Sequence, residues 1–199
     1  MILMSNVKHN DQLIKIVLTG LTAALAYVVF TFLQIKIPIG GDTQSIHLGN
    51  AIVVLGALLL GPIYGGLGGA IGLSIGDLFD PVYVVSAPKT FIMKFLIGLI
   101  AGLIAHKLGK ITHLEEPKKY FKWVLIASAA ALVFNAIFDP ILGYFYKLLI
   151  LGKPAAELSL SFRFATTSVN SVVSIIVSTL LYMAVRPALE KAHLLPKVK

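Results

Sequence analysis

The stretch LGNAIVVLGALLLGPIYGGLGGAIGLSIGDLF, Leu48 to Phe79, decides how this chain folds. Apolar residues run almost unbroken from Leu48 to Leu60, where Gly61-Pro62 interrupts them, and a second run from Ile63 to Phe79 follows at once. Proline suits the first turn of a helix, where its missing N–H is not needed. The pattern therefore predicts a tight helical hairpin, with arms at 48–60 and 63–79. The second arm carries Gly65, Gly66, Gly68, Gly69, Gly72 and Gly76, and a spacing of four recurs from Gly61 to Gly65, Gly65 to Gly69, Gly68 to Gly72 and Gly72 to Gly76. Small residues so spaced let helix backbones approach closely inside a bilayer. Internal packing and a moving interface with another subunit both fit the pattern.

Working outward, the rest of the chain is of the same kind. It has 199 residues, 57% hydrophobic and 13% charged, with a mean hydropathy of +0.89. A soluble domain is about 45–50% apolar and about 25% charged, so a single soluble core could not hide this excess. The reading is an all-α integral membrane protein, one domain over 1–199. Its six spanning helices are placed near 13–35, 48–60, 63–79, 90–106, 123–151 and 160–185. Between the first two, Lys36 to Ser45 contains Pro38, Gly40, Gly41 and Asp42 and reads as a loop. Met1 to Gln12 is polar and no small-residue cleavage site follows, so no removable signal peptide is expected. Lys8, Lys15, Lys107, Lys110, Lys118, Lys119, Lys122, Arg186, Lys191, Lys197 and Lys199 then fall on one side. Several of the remaining cations, Lys36, Lys89, Lys94, Lys147, Lys153 and Arg163, lie within or beside predicted helices. Basic loops stay cytoplasmic, which puts both termini inside.

Several chemistries are excluded or weakened. With no cysteine there is no thiolate metal site and no cysteine nucleophile. The net charge of +8 is carried at helix ends and not around aromatic stacking positions, so nucleic acid is not the partner. Gly72-Leu73-Ser74-Ile75-Gly76 matches G-x-S-x-G, but it lies inside an apolar helix and not on a strand-to-helix turn. The phosphate-cradling G-x-x-x-x-G-K-[ST] pattern is absent, so the chain does not hydrolyse ATP alone. No cofactor and no metal are expected.

An ionised side chain at mid-bilayer costs about 2.5–3.5 kcal/mol, so each polar residue retained in a span asks for a partner or a task. Asp77 and Asp80 close the third span while Lys89 and Lys94 open the fourth, which fits either structural pairing or a polar chamber open to the outside. His47 and Asn50 begin the second span, and Asn135 and Asp139 lie one turn apart in the fifth. In the sixth, Arg163, Thr167, Asn170 and Ser174 form a row spaced by three and four, and Asn170 is favoured as a ligand contact.

These features together resemble a known family, the substrate-binding S components of energy-coupling factor (ECF) vitamin transporters. The match is strongest at Ser45-Ile46-His47-Leu48-Gly49-Asn50, at Gly56 to Pro62 with Tyr64-Gly65-Gly66, along the glycine helix to Asp77, and at Ala87-Pro88-Lys89-Thr90 with Lys94. The resemblance implies a multi-pass protein of a prokaryotic plasma membrane. Such a protein binds a vitamin outside without chemical turnover, and a transmembrane coupling protein and two cytoplasmic ATPases drive its release inside. It implies a substrate site at Gln44, His47, Asn50, Lys94, Asn135, Asp139 and Asn170, with Gln44 part of a lid. It also implies contact with the coupling protein through a small-residue strip of the first helix, here Gly20 with Ala24 or Thr22 with Ala26. Acidic groups near the site suit a hydroxymethyl heterocycle such as hydroxymethylpyrimidine or pyridoxine, whereas Lys94 and Arg163 suit the carboxylate of pantothenate. Two other classes compete: a polytopic membrane enzyme using Asp77, Asp80 and Asp139, and a scaffold subunit that binds partners but no small ligand.

Overall fold

The computed structural model describes residues 2–39, 41–154 and 159–198, with 2–10 as backbone alone. Six α-helices occur among them: α1 (Ile2–Phe32), α2 (Gly49–Leu60), α3 (Pro62–Leu78), α4 (Ala87–Leu103), α5 (Pro117–Phe145) and α6 (Leu160–Lys191). Four helical stretches are long and apolar enough to cross a membrane: Asp11–Phe32, Val84–Leu108, Pro117–Ile150 and Leu160–Lys191. The other two are shorter. At about 1.5 Å per residue, the 12 residues of α2 fall well short of a hydrocarbon core about 30 Å thick. Its surroundings explain how it is tolerated. All of α2 except Leu59 is buried, because it stands among α1, α3, α4 and α6 and meets protein on every side.

The all-α expectation is corrected by one element. The segment read as a loop is an antiparallel hairpin, β1 (Gln34–Ile39) and β2 (Asp42–His47), in register Ile37 to Gln44. Ile35, Ile37 and Ile39 alternate with Gln34, Lys36 and Pro38, which is the period of a strand. Pro38 is compatible because β1 has a free edge and needs no donor there. The first helix accordingly ends at Phe32, before the expected limit at residue 35, and α5 begins at Pro117, earlier than expected. Wider π turns, Ile104–Leu108 and Tyr146–Ile150, extend α4 and α5.

The glycines of α3 hold the centre together. A Cβ at Gly65 would overlap the backbone of Ala57 in α2, and one at Gly72 would overlap the carbonyl of Ala23 in α1. Gly66 meets Gly98 of α4 in the same way. The stripe is internal packing that joins α3 to three neighbours at backbone contact distance. Apolar side chains left over point outward: Leu13, Val17, Leu21 and Val28 on α1, and Val169, Val172, Ile176 and Leu180 on α6 are all exposed. In water that surface would be a liability, whereas lipid covers it.

The two ends of the bundle differ. At one, the α2–α3 turn is made by Gly61 at φ 86°, a conformation that favours glycine, and Val198 of the C-terminal tail packs on it. Lys15 Nζ donates to the carbonyl of Lys197 at 2.8 Å. Arg186 lies 4.0 Å over the Tyr120 ring and donates to the carbonyls of Ile111 and Leu114. This end is sealed. The other carries the β-hairpin and the polar chamber.

Candidate functional site

The chamber is built where α4, α5 and α6 meet the hairpin. After Asp80, a 3-10 turn at Val84–Ser86 leads directly into α4, with Pro88 in its first turn. That start sets the inward face of α4: Thr90, Met93, Lys94 and Ile97 are all buried, at the three- and four-residue spacing of one helical face. On α5, Asn135 and Asp139 share a face, and Pro140 follows inside the helix. On α6, Ser159 caps the N-terminus by accepting from Phe162 N–H. The row predicted from sequence, Arg163, Thr167, Asn170 and Ser174, is buried throughout.

Charges inside are paired across elements. Lys89 Nζ donates to Asp139 Oδ1 at 2.9 Å, and Lys94 Nζ lies 4.0 Å from the same oxygen. Lys94 also reaches Asn135 Oδ1 at 3.5 Å, while Asn135 donates to Ser171 at 3.3 Å. Asp42, at the tip of the hairpin, is the most enclosed carboxylate: its side chain is 0% exposed. Its Oδ1 accepts from Lys147 Nζ at 2.7 Å, and its Oδ2 accepts from Arg163. Asn170 ties the hairpin down from the other side. Its Oδ1 accepts from His47 N–H at 3.0 Å and its Nδ2 donates to Ser45 O at 2.8 Å. Outside the chamber, Lys36 and Gln34 of β1 both reach Asp80.

All seven residues singled out from sequence, Gln44, His47, Asn50, Lys94, Asn135, Asp139 and Asn170, line this one space. Phe30, Leu73 and Tyr83 supply its apolar wall. Tyr146 also lines it and donates to Val85 O, but Tyr144 does not reach it. Pairing among Asp77, Asp80, Lys89 and Lys94 is not what forms. Asp80 turns to Lys36, and Lys89 and Lys94 turn to Asp139 on another helix. Asp77 and Asp139 line the chamber while Asp80 lies in a separate groove with Gln34 and Lys36, so the three carboxylates do not converge. Two residues central to the geometry, Asp42 and Lys147, had no sequence signal: one stands in an irregular Gly-Gly-Asp segment, the other near the end of an apolar helix. On α1, Thr22 packs inward on Gly56 and Gly68 and Ala26 is fully buried, whereas Gly20 and Ala24 lie on the exposed face.

The free volume inside the chamber is about 80 Å³. A cavity that holds benzene is about 150 Å³, so the chamber as it stands is too small for a vitamin-sized molecule. Yet three polar atoms on its walls are left without partners among the described residues, Asn50 Oδ1, Tyr83 Oη and Arg163 Nε. Buried polar atoms are normally satisfied. These three are groups that a ligand or water would complete.

Comparison with known proteins agrees with this architecture. A family model described as the S component of ECF-type riboflavin transporters matches residues 10–187. A UPF0397 protein of Exiguobacterium sp. is 30% identical over 167 residues, covering 84% of this chain and 87% of that one. An uncharacterised protein of Pyrococcus woesei is 31% identical over 75 residues, 38% of this chain and 49% of its own. Among solved structures, one reported as "Structure and mechanism of the S component of a bacterial ECF transporter" superimposes with a TM-score of 0.58 at 21% identity. It covers 89% of this chain and 98% of that one, a likeness of fold. The family's members are substrate-binding subunits of membrane transporters and not enzymes. The chain belongs to the family of ECF transporter S components.

Proposed function

We propose that this chain captures a vitamin in the chamber beneath the β-hairpin and passes it inward, in complex with a transmembrane coupling protein and two cytoplasmic ATPases. The observation that carries the reading is the chamber itself. Charged and amide side chains from the hairpin, α4, α5 and α6 converge on one enclosed space at one end of an otherwise apolar bundle. Charges this deep in a membrane protein mark a substrate pathway by default. The chamber end faces outward and both termini lie in the cytoplasm of a prokaryotic cell, in a bundle that crosses the plasma membrane six times. That orientation follows from basic loops gathered at the sealed end, while Lys89, Lys94, Lys147 and Arg163 belong to helices lining the chamber.

Gln44, His47, Asn50, Lys94, Asn135, Asp139 and Asn170 form the substrate site, and Gly20 and Ala24 present the small-residue strip to the coupling protein. The first substrate class is a small hydroxymethyl heterocycle, hydroxymethylpyrimidine or pyridoxine, lying against Phe30 and Tyr83. A second class, an acidic vitamin such as pantothenate, is favoured by Lys147 and Arg163. Native mass spectrometry of the purified chain tests the reading by weighing any co-purified small molecule. One bound vitamin is expected. A chain that carries none, and binds none from a panel of the vitamins named here, is not a vitamin receptor.

A further inference from the structure

The ion pairs of the chamber differ in where their carboxylates come from. Asp139 belongs to α5 and meets Lys89 and Lys94 of α4, so these charges remain together whatever the hairpin does. Asp42 belongs to the hairpin, whereas its partners Lys147 and Arg163 belong to the end of α5 and to α6. A vitamin-sized ligand does not fit the present volume, and the hairpin supplies Gln44, Ser45 and His47 of the lining, so lifting it makes room. Asp42 then leaves, and Gln44, which donates to it at 3.2 Å, leaves with it. Two buried cations stay behind, aimed at one point that holds no anion. Such an arrangement is stable only if something negative takes the place.

We propose that Lys147 and Arg163 form the seat for an anionic group of the ligand, a carboxylate or a phosphate, and that Asp42 fills this seat in the absence of ligand. The inference rests on the reading of the chamber as a ligand site. Three observations carry it. The two cations divide one carboxylate between them, Lys147 on Oδ1 and Arg163 on Oδ2, the geometry an incoming carboxylate or phosphate would reproduce. Arg163 Nε is buried and has no partner among the described residues, so the seat has a donor to spare. Gly143 keeps the space beside the guanidinium open, since a Cβ there would come within 3.0 Å of Arg163 Nη1. Asp42 is thus a competitor built into the chain. An anionic ligand exchanges one carboxylate for another at little electrostatic cost, so of the two substrate classes above the seat favours the acidic one.

Chemical rescue tests this. Asp42→Ala removes the competitor, and thermal unfolding of the purified full chain in detergent is followed against acetate, inorganic phosphate and uncharged acetamide at constant ionic strength. Acetate or phosphate should raise the Tm of Asp42→Ala saturably by several degrees, with little effect on the unmodified protein, and the stronger of the two identifies the group. Acetamide should do nothing, and Asp42→Ala combined with Arg163→Gln should lose the response. Equal stabilisation of the unmodified protein, a response to acetamide, persistence in the double variant, or no response at all would each overturn the seat. Should Asp42→Ala fail to fold, Asp42→Asn keeps the shape without the charge and is expected to show the same anion selectivity. Failure here is distinct from failure of the proposed function. A chain that carries a vitamin but shows no anion response loses only the seat. One that shows the anion response but holds no vitamin loses only the transport reading.

Discussion

Asn170 engages the hairpin backbone through both ends of its amide, His47 N–H at one side and Ser45 O at the other. It therefore holds the hairpin down in the absence of ligand, and both ends of its amide become free for a ligand as the hairpin lifts. Each hydrogen bond so formed would contribute about 0.5–1.5 kcal/mol, so Asn170→Ala should weaken vitamin binding by about tenfold. Equilibrium titration with the ligand checks it. Unchanged affinity would remove Asn170 from the site. His47 Nδ1 accepts from Gly49 N–H at 3.1 Å, which requires the neutral ring.

At the scale of elements, the glycines of α3 pack inside the bundle against Thr22, Ala23 and Ala26 of α1 among others, whereas Gly20 and Ala24 lie on the exposed face of α1. Gly65 has backbone against it, and backbone cannot move aside as a flexible side chain can. Gly65→Val should cost about 3 kcal/mol or more and be seen as loss of a monodisperse peak in size-exclusion chromatography. Gly20 has nothing within 4 Å. Gly20→Leu should leave folding and vitamin binding unchanged yet reduce co-purification with the coupling protein. Full assembly of Gly20→Leu would point the interface elsewhere. The hairpin is the element whose sequence signal was real but masked. The alternation of Ile35, Ile37 and Ile39 was available, but it covers only six residues and runs into Pro38, Gly40 and Gly41, which more often mark a loop.

The whole molecule is asymmetric: a sealed end tied by Arg186 and the C-terminal tail, and an opposite end that holds the chamber. Because the chain has no cysteine, single cysteines report topology without background. Lys119→Cys should react with a membrane-impermeant maleimide only after cells are opened, and Lys153→Cys in intact cells; the reverse pattern would invert the orientation. Membrane residence and helical content were determined by the sequence alone, because they depend on composition and on apolar run length, which are local. So was the set of polar residues that lipid makes expensive. What only the tertiary structure decided is who pairs with whom. Asp42 lies 105 positions from Lys147 and 121 from Arg163, and a single charge in a loop has no periodicity to announce its partner. The Coulomb energy that makes the pairing decisive depends on distance through space and on burial, and neither quantity exists until the helices pack.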